Sequence, residues 1–131
     1  MNTTESEVTL SKGSIVLSTF QSRLSANKIA KDMISRKLCA CVNIIKINSI
    51  YYWNNKIQYD DEYLCFFKTV SSAKLRKELK KIHPYKVPEI IEIKIDNIDK
   101  DYLGWLISSA SSPVTISMLS RSISKKSYDS A

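Results

Sequence analysis

The sequence predicts an α+β fold in the order β-α-β-β-α-β, with one further helix at the C-terminal end. Three observations carry this. Apolar residues recur at three- and four-residue spacing over 22–38 and again over 71–83. Two long apolar runs are separated by Asn54-Asn55, a turn signal. Ile91, Ile93 and Ile95 alternate with Glu92, Lys94 and Asp96.

Taken in order, Ile15-Val16-Leu17 opens a short buried strand that ends near Phe20. Over 22–38, Ala26, Ile29, Ala30, Met33, Ile34 and Leu38 share one helical face, with Ser22 or Ser25 as the N-cap. Cys41 to Trp53 reads as a long strand, rich in isoleucine. Asn tolerates the left-handed region best after Gly, so Asn54-Asn55 turns the chain back into a strand from Lys56 to about Val70. There Tyr63, Cys65 and Phe67 take one face and Leu64, Phe66 and Lys68 the other. Asp60-Asp61-Glu62 interrupts the apolar pattern, as a bulge or an exposed stretch. Ser71 or Ser72 caps a second helix carrying a Leu75, Leu79, Ile82 stripe, which Pro84 stops. Pro88 marks another break, and 91–96 forms a strand with one wet face. A short helix over 99–107 buries Leu103, Leu106 and Ile107.

This order is the split βαβ, ferredoxin-like arrangement, in which both crossover helices cover one face of a four-stranded sheet. The other face stays bare within one subunit although its strands are apolar. The middle hairpin is also too long for its neighbours. Both facts point to a symmetric homo-oligomer.

Composition sets the outer limits. The chain has 131 residues and 44% apolar side chains, enough for one packed domain. We expect that domain at 14–107, between a flexible segment at 1–13 and a flexible tail at 108–131 that holds ten serines. No apolar run approaches the ~20 residues of a membrane span, and the N-terminus lacks the pattern of a secretory signal. The expectation is a soluble, intracellular protein with reduced thiols at Cys39, Cys41 and Cys65. One His and three Cys cannot build a spaced-pair zinc site within one subunit. The net charge of +7 rests on 20 basic against 13 acidic residues, 16 of the basic ones lysine. It reads as Lys-rich composition rather than a polyanion face, which needs the charges clustered.

Few residues carry chemistry. His83 precedes Pro84 at a helix end, where it either complements the helix dipole or serves as a metal or anion ligand. Cys41 is a small buried hydrophobe or, with Cys39 two residues away, part of a soft-metal clamp. A Cys41–His83 nucleophile–base pair would make a small enzyme, but no third orienting group is readable. Tyr51-Tyr52-Trp53 reads as interface packing; the rival is base stacking in an RNA-binding module of the same strand order. That module needs a basic-Gly-aromatic signature on its third strand, and Glu62-Tyr63-Leu64-Cys65-Phe66-Phe67-Lys68 has neither Gly nor Arg, which argues against nucleic acid.

Several local strings go further. They are Leu38-Cys39-Ala40-Cys41-Val42-Asn43-Ile44, Ser49-Ile50-Tyr51-Tyr52-Trp53-Asn54-Asn55-Lys56-Ile57, Lys68-Thr69, His83-Pro84-Tyr85-Lys86-Val87-Pro88-Glu89-Ile90-Ile91 and Asp101-Tyr102-Leu103-Gly104-Trp105-Leu106. In this order and spacing, over about 14–107, the chain resembles the CutA divalent-cation-tolerance family. The resemblance implies a cytoplasmic homotrimer with hairpins interlocked across subunits, linked to tolerance of copper and other divalent metals, with no established enzymatic activity. Tyr51, Tyr52 and Trp53 then belong to the trimer interface. The family's trimers resemble PII-type signalling proteins, which makes the cleft between subunits a ligand pocket. Trp53, Lys68, His83, Tyr85 and Glu89 are the matching positions, and copper or another divalent metal is the implied cofactor, with His83 and Cys41 as candidate ligands. The chain departs from the pattern at Asn55, where Gly is usual, and at Cys39, where Ala is common. It also carries Ser18 and Ile82 where some members place a Cys and the first of two His.

Overall fold

In the computed structural model, which describes residues 12–110, a four-stranded antiparallel sheet carries three helices. The elements are β1 (Ser14–Phe20), α1 (Arg23–Ser35), β2 (Cys41–Trp53), β3 (Lys56–Thr69), α2 (Ser72–Ile82), β4 (Ile91–Lys94) and α3 (Lys100–Ser109). The sheet order is β2-β3-β1-β4, the split βαβ topology that the sequence predicts. The segments 1–11 and 111–131, where the two flexible tails were expected, lie outside the described residues. Helix α3 continues through Ser108 and Ser109, so the folded unit runs past the expected boundary at 107.

Local chemistry explains the element ends. The Ser22 hydroxyl accepts the Ser25 N–H at 3.1 Å and starts α1. The helix stops at Ser35 rather than 38 because Lys37 turns left-handed, with φ of 62°. Leu38 N–H then bonds the Met33 carbonyl and Lys37 N–H the Ile34 carbonyl, a Schellman motif built on Lys instead of Gly. Leu38 is thereby removed from the helix yet stays in the core, 3% exposed. Helix α2 starts where expected, with Ser71 as the N-cap residue, but the Ser71 side chain makes no cap bond. Its N–H is instead held by the buried Thr69 hydroxyl at 2.8 Å, which itself donates to the Leu38 carbonyl at 2.6 Å. One side chain thus ties the ends of both crossover connections together.

At Asn54 and Asn55, φ is 55° and 61°, the left-handed pair that a tight hairpin turn requires. The β2–β3 ladder runs without interruption from Cys41↔Lys68 to Trp53↔Lys56. Asp60-Asp61-Glu62 therefore forms no bulge; of the two expected forms, the exposed stretch is the one adopted. β1 reaches only Tyr63 along β3, so the hairpin beyond that point has no other strand beside it.

Val16, Phe20, Met33, Phe67, Leu75 and Leu79 are fully buried between the helices and the inner sheet face. Ile82, expected to complete the α2 stripe, is instead partly exposed. In α3, Leu106 is buried, Leu103 half-buried and Ile107 exposed, so only one of the three expected core residues is fully enclosed.

The β4 alternation is inverted relative to the sequence reading. Glu92 pairs with core-facing Val16 and so shares the inner face. There Ser14 and Ser72 donate hydroxyls to its Oε2 at 2.6 and 2.7 Å, and Arg76 Nε lies 3.1 Å from Oε1. The two hydroxyls, and then Arg76, hold this carboxyl below the usual range. Ile91 and Ile93 face outward, 47% and 49% exposed, and Ile45 on β2 is 48% exposed. The outer sheet face is therefore an apolar surface on the single subunit.

Candidate functional site

The long hairpin and the loop that follows α2 enclose an open cleft of about 760 Å³. On the hairpin side, Ser49, Tyr51, Trp53, Asp60 and Glu62 line it; period-2 alternation puts these residues on one face across the ladder. On the loop side stand Tyr85, Lys86 and Val87, held between Pro84 and Pro88, and Glu89, which follows Pro88. Thr19 and Gln21, at the end of β1, close the base.

Phenol–carboxylate pairs stiffen the cleft. Tyr51 donates to Asp60, its diagonal neighbour across the ladder. Tyr85 donates to Glu62 Oε2 at 2.7 Å and so joins the loop to β3. Burial first, and then Glu62, push the Tyr85 phenol well above its ordinary value; the Asp60 bond raises that of Tyr51. Both phenols stay protonated donors at neutral pH.

His83 lies beneath the loop, 8% exposed. Its Nδ1 accepts the Tyr85 backbone N–H at 3.1 Å, which places the ring hydrogen on Nε2. From Nε2 the ring donates to the Thr19 carbonyl at 3.0 Å, with the Ser18 hydroxyl at 3.1 Å. The ring stacks on Phe20 at 4.5 Å and 15°, with Tyr85 tilted on it at 4.9 Å. Burial pushes the imidazole below its usual range, against smaller upward effects of the Thr19 bond and Glu62. It is a neutral histidine with both nitrogens in use.

Of the residues singled out from the sequence, Trp53, Tyr85 and Glu89 come together in this cleft and Tyr51 joins them. Lys68 does not. It pairs with Cys41 across the ladder and beside Ile15 at the far end of β1, where its ammonium lies 5.8 Å from the Tyr102 ring centroid. Tyr52 points to the opposite face of the hairpin from Tyr51 and Trp53 and is 69% exposed. Cys41 and His83 do not meet. Cys41 is on the outer face level with Ile15, whereas His83 packs against Ser18, Thr19 and Phe20 three or more residues along. Among the described residues, no three of His, Cys, Asp and Glu gather as a metal-binding group. Burial drives the Cys39 and Cys65 thiols up to about 12 and about 11, which leaves them protonated and unreactive.

The acidic wall, Asp60 and Glu62, was missed as a site component. Its signal was present in the interruption of the β3 apolar pattern, which reads as a bulge or an exposed stretch until the register places it in the cleft. The outer faces of β1 and β3 offer Ile15, Leu17, Thr19, Leu64, Phe66 and Lys68, a single aromatic ring where stacked-base recognition uses two or three.

The fold and cleft together define a ferredoxin-like subunit whose central hairpin outgrows its own sheet. The model of the CutA1 divalent ion tolerance protein family matches residues 14–109, and the chain belongs to that family. Divalent-cation tolerance proteins CutA from Pyrococcus horikoshii and Thermus thermophilus are 39% and 41% identical to it. Each alignment covers 95 residues, 71% and 70% of this chain and 93% and 92% of theirs. Among solved structures, CutA1 from P. horikoshii superposes with a TM-score of 0.73 at 36% identity, covering 76% of this chain and 99% of that one. A periplasmic divalent cation tolerance protein CutA from Archaeoglobus fulgidus gives 0.73 at 34%, with the same coverages. No helix of the described residues is long and apolar enough to cross a membrane.

Proposed function

We propose that the protein is a non-enzymatic, homotrimeric cytoplasmic scaffold of divalent-cation tolerance, whose ligand site is the cleft between the hairpin and the loop after α2. One observation carries the assembly: an apolar outer sheet face and an aromatic hairpin lie bare on the same chain, with Ile45, Ile91 and Ile93 about half exposed and Tyr51, Tyr52 and Trp53 exposed beside them. Membership of the divalent ion tolerance family supports the physiological role. Light scattering after size exclusion should give about three times the 15.0 kDa chain mass. A monodisperse monomer at micromolar concentration overturns the assembly.

Copper binding through His83 and Cys41 is a finer reading, and their separation along β1 argues against a shared site. Copper(II) and zinc should therefore titrate the wild type, His83→Ala and Cys41→Ser with superimposable isotherms. Loss of a binding step in either variant restores that residue as a ligand.

A further inference from the structure

The one histidine of the chain stands at the joint where α2 hands over to the cleft loop. Its Nδ1 accepts the Tyr85 N–H, its Nε2 donates to the Thr19 carbonyl, and its ring is clamped between Phe20 and Tyr85. This set tolerates only the neutral ring. An imidazolium has two N–H donors and no acceptor, so a proton on Nδ1 would face the Tyr85 N–H directly. Turning the ring over would place a carbon against the Thr19 carbonyl and forfeit that bond.

We propose that His83 is a pH-operated latch on the cleft, closed by the neutral ring through the Tyr85 N–H and released when Nδ1 takes a proton. The same residue that Nδ1 holds by its backbone reaches Glu62 with its phenol, so release by the imidazole leaves the loop wall tethered by the Glu62 bond alone. Lys86, Val87 and Glu89 follow it, and the cleft widens on that side.

The surroundings set the direction. β1 contributes Ser18, Thr19 and Phe20, none of them charged. From β3 the Glu62 carboxylate acts on the ring and favours protonation, and the loop contributes the Tyr85 phenol; α2 itself bears Lys80 and Lys81 in its last turn. Burial outweighs Glu62, so protonation occurs below the ordinary 6.5. The unfolded chain then binds its proton first: the stability and loop order due to the neutral ring are complete above 6.5 and fall away as pH drops through the folded value.

The latch depends on contacts within one subunit, and its readout does not require a ligand or a particular oligomer. In the full chain the single imidazole gives one unambiguous NMR titration, and hydrogen exchange at the Tyr85 amide reports the latch bond. One pH unit below the His83 midpoint about nine-tenths of the rings are protonated, so the Tyr85 amide should have lost nearly all the protection it shows above 6.5. Val16 and Phe67 amides should keep theirs. In His83→Gln the Tyr85 protection should lose this pH dependence. The proposal is overturned if Tyr85 protection holds while His83 titrates, or if the ring stays neutral until the Val16 and Phe67 amides open as well. Either outcome is read on the wild type alone, whether or not the variant folds.

Discussion

Phe20→Ala should lower the unfolding free energy by about 3–5 kcal/mol, the cost of emptying a fully buried aromatic site. The ring is 0% exposed and closes the core at the end of β1, where Tyr63 is its cross-strand partner. Its stack on His83 adds roughly 0.5–1.5 kcal/mol to the usual loss of buried area. A second effect separates this from an ordinary cavity. With one wall of the imidazole gone, water reaches the ring and its desolvation falls, so the His83 midpoint should move up toward 6.5. Urea unfolding at one fixed protein concentration measures the first effect, because oligomer stability depends on concentration. The imidazole NMR titration measures the second. A stability loss under about 0.5 kcal/mol, within the range of surface substitutions, would refute the assigned role of Phe20.

Ile45→Asp should convert the proposed trimer to a monomer of 15.0 kDa without loss of secondary structure. Ile45 is about half exposed on the isolated subunit, so a carboxylate there costs the subunit little. Buried between copies, the same carboxylate is an unpaired charge with a penalty of several kcal/mol at each equivalent position. Ile93→Asp, on the other side of the outer face, should behave alike. Light scattering and circular dichroism together decide the matter: a trimer that survives both substitutions shows that this face is not where the copies meet.

Much of the architecture was legible from residue patterns. The bounds of β2, the Asn54-Asn55 turn and the two faces of β3 follow from period-2 alternation and from the left-handed tolerance of Asn, both local properties. Residues of the cleft were legible in part. Trp53, Tyr85 and Glu89 were recognisable from their strings, but Lys68 was grouped with them and lies at the other end of the sheet. Adjacency in a motif does not state the register, and the register decides which residues share a wall.

Where local chemistry was decided by distant partners, the pattern misled. Glu92 alternates with isoleucines and reads as a solvent-facing charge. It points inward because Ser14, Ser72 and Arg76, from three other places in the chain, satisfy it there. The end of α1 also departed from the pattern, for a local reason: Lys37 takes the left-handed turn that Gly usually supplies.

His83 shows the division most clearly. From the sequence alone came its solitary occurrence, its position before Pro84 at a helix end and its family string, and these leave it a cap, a ligand or a base. Only the tertiary structure gives both nitrogens their partners, by bringing Thr19 and Phe20 from more than sixty residues upstream against the ring. The sequence by itself determined the strands, the helices, the turn and the family, because periodicity and turn chemistry act over a few residues. The protonation state of an imidazole depends on what surrounds it in space, and only folding fixes that.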